Sequence, residues 1–163
     1  MNNVSKIQEL INDLNTILVF DVDGVLARIE HGKYNHFNDN DEEYDLALKN
    51  GVNFYDNSIA IKTMQDYIKT RCIDNIYICS HVHNDIEASQ KIIFLEGNYN
   101  IKRENIYFVN ENEEKLDVLN KIKSMYPNVQ EDHIALVDDT LSILNHVMNN
   151  SNYATIHFSS FIH

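Results

Sequence analysis

Residues 17 to 26 read ILVFDVDGVL: Ile17, Leu18, Val19 and Phe20 form an apolar run that ends in Asp21 and Asp23, one residue apart, with Gly24 just beyond. A short run rich in β-branched residues predicts a strand buried on both faces, as in the middle of a parallel sheet. Its charges then fall at the C-terminal end, outside which open α/β sheets bind ligands. In a continuing strand Asp21 and Asp23 share one face, because Val22 alternates with them, and Gly24 lets the backbone bend away. Two acids so close repel unless a cation or a proton lies between them. The pair therefore suits a metal ion or shared acid/base work. A solvated Asp/Gly turn is the plainer alternative.

The flanking chain repeats the strand and helix alternation. Val4, Ile7, Leu10, Ile11 and Leu14 predict an amphipathic helix before the first strand. Ile59, Ile61, Met64, Tyr67 and Ile68 predict a helix over 58–69, with Asn57 or Ser58 as its cap. A second strand follows at 75–79 and ends at Ser80. A helix over 84–95 is expected to stop at Gly97. A third strand (105–109), a helix (113–125) closed by Pro127, and a fourth strand (133–137) ending in Asp138 and Asp139 come next. Thr140 is placed to cap a helix carrying Leu141, Leu144, Val147 and Met148, and 153–158 makes a fifth strand. This order predicts an α/β fold: a three-layer, Rossmann-like parallel sheet of five strands with helices on both faces.

Composition narrows the class. A chain of 163 residues suits one domain spanning 1–163, with hydrophobic residues at 44% and charged ones at 23%, as in ordinary globular proteins. A net charge of -12 argues against an extended electrostatic grip on nucleic acid, which rests on clustered Lys and Arg. No basic leader precedes an apolar core and no apolar run is long enough to cross a bilayer, which predicts a soluble cytoplasmic protein without a membrane partner. Cys72 and Cys79 lack metal-type spacing and are expected as reduced core thiols rather than a disulfide.

One segment breaks the pattern. Residues 27–57 hold His31, His36, several aromatic residues and an acidic run, with a short helix expected near 42–49. An irregular insertion of this length suits a small lid or binding loop. His31 and His36 could ligate a metal or be solvated polar residues. Tyr34, Phe37, Tyr44, Phe54 and Tyr55 could stack on a substrate ring or pin the insertion to the body, and pinning is the favoured reading.

In a parallel sheet the strand ends lie along one edge. Asp21, Asp23, Ser80, Asp138 and Asp139 therefore converge, with Lys115 near. Carboxylates joined by a hydroxyl and a lysine suit a hard divalent cation and a phosphate, and oxygen ligands favour Mg²⁺.

The order DVDGV, strand-terminal Ser80, helix-initial Lys115 and VDD at 137–139 resembles the haloacid dehalogenase (HAD) superfamily of phosphohydrolases, over about residues 17 to 158. That resemblance implies Asp21 as the nucleophile forming an aspartyl-phosphate, and Asp23 as the acid that protonates the leaving oxygen and then activates water. It implies that Ser80, Lys115 and the backbone N–H of His81 bind phosphate. Asp21, Asp138, Asp139 and the Asp23 carbonyl would surround Mg²⁺. Residue by residue, Ser80 could instead be a strand-end cap, Lys115 a solvated helix residue replaced by Lys121 or Lys123, and Asp139 a helix cap. Val25 stands where many members carry threonine.

With a short first insertion and little room between Ser80 and Lys115, the chain resembles capless or minimally capped members. The resulting expectation is a Mg²⁺-dependent phosphomonoesterase acting on a phosphorylated substrate, with a nucleotide or nucleic-acid phosphate end ahead of a sugar phosphate. A non-catalytic regulatory module keeping the fold and the Mg²⁺ site is the alternative.

Overall fold

The computed structural model describes residues 3–28 and 41–162, so His31, His36, Tyr34 and Phe37 lie outside the described residues. In chain order the strands are β1 (Ile17–Phe20), β2 (Ala27–Arg28), β3 (Ile59–Ala60), β4 (Ile76–His81), β5 (Ile106–Val109), β6 (Ile134–Asp138) and β7 (Ala154–His157). The α-helices are α1 (Asn3–Asn12), α2 (Asp41–Lys49), α3 (Lys62–Lys69), α4 (Asp85–Asn98), α5 (Lys115–Met125) and α6 (Leu141–Asn150).

Five strands form one parallel sheet in the order β5-β4-β1-β6-β7. The fold is α/β, three-layered and Rossmann-like. Its centre is β1, whose residues alternate between two cores. Leu18 and Phe20 face one core, with Leu10 and Ile11 of α1, Met64 and Ile68 of α3, and Phe94 and Leu95 of α4. Ile17 and Val19 face the other, with Leu119 and Ile122 of α5 and Leu144 and Val147 of α6. Burial on both faces explains why the strand is an unbroken apolar run rather than an alternating one.

The chain leaves β1 to one side, through β4 and β5, then returns past it to β6 and β7. Strand order therefore reverses between β1 and β6, and the crevice at such a switch point is where open α/β sheets hold ligands. Asp21 follows the last residue of β1, and Asp138 is the last residue of β6.

Several expectations need correction. The helix expected over 58–69 begins only at Lys62, because Ile59 and Ala60 pair antiparallel with Arg28 and Ala27, and Ile61 N–H donates to Leu26 O at 3.0 Å. Ile59 and Ile61 alternate at strand spacing, and β-branched residues suit that geometry. Gly97 does not stop α4, which runs on to Asn98. The turn comes where Tyr99, extended and buried, sends its hydroxyl to Leu26 O at 2.7 Å. Thr140 occupies the N-cap position of α6, yet its side chain makes no capping bond. Leu14, expected on the apolar face of the first helix, lies past the end of α1 and is exposed. Cys79 is buried in β4, where burial pushes its thiol up to about 12, whereas Cys72 is exposed and not a core residue. Among the described residues no helix is long and apolar enough to cross a membrane.

Candidate active site

The chain doubles over immediately after β1. Val22 O accepts from the N–H groups of Val25, Leu26 and Ala27, and Gly24 adopts φ 73°, the left-handed region that glycine enters without a steric penalty. A Cβ at Gly24 would stand 2.0 Å from Asp139 Oδ2, so the bare α-carbon is what lets the β6 end approach. The strand does not continue through Asp23, and the two acids take different partners.

Asp21 turns toward β6. Its N–H donates to Val137 O at 2.9 Å, and its Oδ1 lies 3.3 Å from Lys115 Nζ. Lys115, the first residue of α5, is 1% exposed and also donates to Asp138 Oδ2 at 2.7 Å. Burial alone would lower the Lys115 ammonium, but Asp21 and Asp138 outweigh it and hold the group above its ordinary range. Lys121 and Lys123 point elsewhere: Lys121 lies over the Tyr107 ring, and Lys123 donates to Pro127 O. Lys115 is therefore the lysine of α5 that reaches the strand ends.

Asp138 is fully buried, with Oδ1 accepting from Thr140 N–H at 2.9 Å. Burial raises its carboxyl, Asp21 raises it further, and Lys115 pulls it back. Asp139 does not cap α6. Its carboxylate accepts from the Thr140 hydroxyl at 3.3 Å, and its carbonyl lies 3.1 Å from His157 Nε2. Because His157 Nδ1 accepts from Ser159 N–H, Nε2 carries the proton and donates to that carbonyl.

Asp21, Asp138 and Asp139 each offer one oxygen within 4.8 Å of the others. Asp21 Oδ1 is buried and receives no hydrogen bond despite the nearby Lys115. An oxygen-only trio in which one buried oxygen is ion-paired to Lys115 yet accepts no hydrogen bond fits a hard divalent cation.

Asp23 faces the other way. Its Oδ2 lies 2.8 Å from Lys91 Nζ, and its Oδ1 accepts from the Tyr55 hydroxyl. Burial raises its carboxyl, Lys91 opposes the rise, and Asp21 adds to it. The structure thus separates the Asp23 side chain from the carboxylate trio. Ser80, 1% exposed at the end of β4, accepts from Lys91 at 3.0 Å rather than capping a turn. His81, half-buried, stacks edge-on against His83. A cleft of about 300 Å³ opens beside it, walled by Glu111, Asn112, Thr140, Ser142 and His146.

Sequence reasoning missed Lys91, Glu87 and the contact from Tyr55. Glu87 and Lys91 stand at i and i+4, a spacing read by default as a solvated surface pair. They nevertheless share a helix face with Phe94 and Leu95, which was the available signal. Tyr44, Phe54 and Tyr55 are each 5% exposed, so these rings pin the insertion to the body. Comparison of the chain with protein-family models and with curated proteins found no match.

Proposed function

We propose that this protein is a phosphohydrolase of the haloacid dehalogenase type, releasing phosphate from a monoester through an aspartyl-phosphate on Asp21. One observation carries the reading: at the sheet's switch point Asp21 keeps a buried carboxylate oxygen that accepts no hydrogen bond, ion-paired to a buried lysine and close to two further acids. A buried carboxylate in that setting suits attack on phosphorus, where two anions must meet.

Lys115 offsets charge on Asp21 and on an arriving phosphoryl group. Ser80 and His81 close the adjacent strand, where the Ser80 hydroxyl and the His81 backbone N–H would donate to phosphate oxygens. Asp23 supplies a proton to the leaving oxygen in the first step and takes one from water in the second. Asp21, Asp138 and Asp139 would hold Mg²⁺, which supplies charge neutralisation for the phosphoryl oxygens when bound. The acids Glu111 and Glu113 beside the cleft disfavour substrates with additional phosphates there. With the described aromatic rings of the insertion buried, its ring surface is not open to a nucleobase at those positions.

The test is phosphate release by wild type and Asp21→Asn from nucleotides, oligonucleotide ends, sugar phosphates and phosphopeptides, with Mg²⁺ and with chelator. Metal-dependent release by wild type that Asp21→Asn abolishes is the expected result. Equal release by both proteins, or none by a folded Mg²⁺-binding wild type, overturns the reading and favours a regulatory module.

A further inference from the structure

A second buried lysine lies on the opposite side of the site from Lys115. Lys91 of α4 is 1% exposed, and its ammonium meets Asp23 Oδ2 at 2.8 Å, Ser80 Oγ at 3.0 Å and Glu87 Oε1 at 3.1 Å, and also bonds the His81 carbonyl. Those contacts tie together three parts of the chain: the turn after β1, the end of β4 and the first turns of α4. Glu87 is itself anchored, because Oε2 accepts from His83 N–H at 2.8 Å and lies 3.0 Å from His83 Nδ1, while Oε1 accepts from the Tyr44 hydroxyl at 3.3 Å. The ammonium is therefore held from behind as well as in front.

We infer that Lys91 is a positioning residue that fixes the Asp23 carboxyl for proton transfer and the Ser80 hydroxyl for phosphate, while Lys115 serves the nucleophile. The inference rests on the phosphohydrolase reading and deepens it. A carboxyl group on a turn can rotate. Here the Tyr55 hydroxyl holds one oxygen and Lys91 the other, and each oxygen keeps a further lone-pair direction for a substrate.

In the first step an Asp21 oxygen bonds to phosphorus as the bond from phosphorus to the leaving oxygen breaks. The proton of the Asp23 carboxyl passes to that oxygen, releasing an alcohol and leaving a carboxylate beside the Lys91 ammonium. In the second step Asp23 takes a proton from water, the water oxygen bonds to phosphorus, and the acyl-phosphate bond breaks to restore Asp21 and release phosphate. Lys91 remains an ammonium throughout, and fixed charge of this kind requires no reorganisation as the proton leaves Asp23.

The distinguishing measurement is kcat/KM for two phosphate monoesters in Mg²⁺. An alkyl phosphate needs its leaving oxygen protonated, whereas 2,4-dinitrophenyl phosphate does not. Lys91→Met is expected to lose about 100-fold or more on the alkyl ester, the usual size of an acid's contribution, and about tenfold less on the aryl ester. Asp23→Asn should show the same imbalance, and the double variant should lose little beyond either single one. Equal losses on both esters would mark Lys91 as merely structural and overturn the inference, as would wild-type kinetics. If Lys91→Met fails to fold, Glu87→Gln removes the anchoring charge behind the ammonium and is read by the same ratio: a skewed loss supports the inference and an even loss overturns it. A wild type inactive on both esters overturns the phosphohydrolase reading and this inference together, whereas an active wild type with even losses overturns this inference alone.

Discussion

Replacing Lys115 by methionine keeps most of the side chain's volume and removes its charge. The ammonium is 1% exposed and lies 2.7 Å from Asp138 and 3.3 Å from Asp21, so the variant leaves two buried carboxylates without their shared counter-charge. Removing one partner of a buried ion pair costs about 3–5 kcal/mol. In a chain of this size each kcal/mol moves the melting midpoint by about 2–4 °C, so the expected fall is about 6–20 °C. The assay is thermal denaturation at neutral pH in chelator, followed by the same scan with Mg²⁺. A cation on Asp21, Asp138 and Asp139 supplies part of the missing charge, so Mg²⁺ should stabilise the variant more than the wild type. A fall below about 2 °C is what substitution of a solvated helix lysine would give, and it would refute the placement of Lys115 between the two acids.

Gly24→Ala should cost roughly 1–2 kcal/mol for a left-handed alanine. Its Cβ should also push the Asp139 carboxylate aside, so titration calorimetry with Mg²⁺ should show weakened binding, and unchanged affinity would remove Asp139 from the ligand set. Burial alone would raise the Glu87 carboxyl, but Lys91 and the His83 N–H hold it below its ordinary 4.5. Its contribution to stability is thus present above that value and lost as pH falls through the lower folded-state value. Urea midpoints between about pH 3 and pH 7 should therefore fall less steeply with acid in Glu87→Gln than in wild type, and parallel acid limbs would contradict the assignment.

The sheet was legible because a strand buried on both faces must be apolar throughout, and Ile17–Phe20 and Ile134–Val137 are nearly unbroken apolar runs. The carboxylates were legible for the complementary reason: charges closing such runs must lie at the strand's mouth. Lys91 was not legible, because a lysine four residues after a glutamate reads as surface decoration unless the tertiary fold turns that helix face inward. Ile59 and Ile61 misled because they also satisfy the apolar pattern of the helix that follows them. Strand pairing with Ala27 and Arg28 decided the outcome, and such long-range pairing leaves no local trace.

That short antiparallel pairing of Ala27 with Ala60 and Arg28 with Ile59 has a consequence for how the protein can be altered. It brings Arg28 and Ile59 together close in the chain to the Asp23 turn, while Tyr44, Leu48, Phe54 and Tyr55 of the intervening segment stay buried in the core that packs on β1. Chain length between clamped ends is thermodynamically inexpensive, at about 0.6 kcal/mol for each doubling of a flexible loop. The ladder therefore acts as a grafting port. Sequence exchanged between Arg28 and Ile59, with the buried Tyr44, Leu48, Phe54 and Tyr55 kept in register, should leave the sheet that positions the carboxylates as it is.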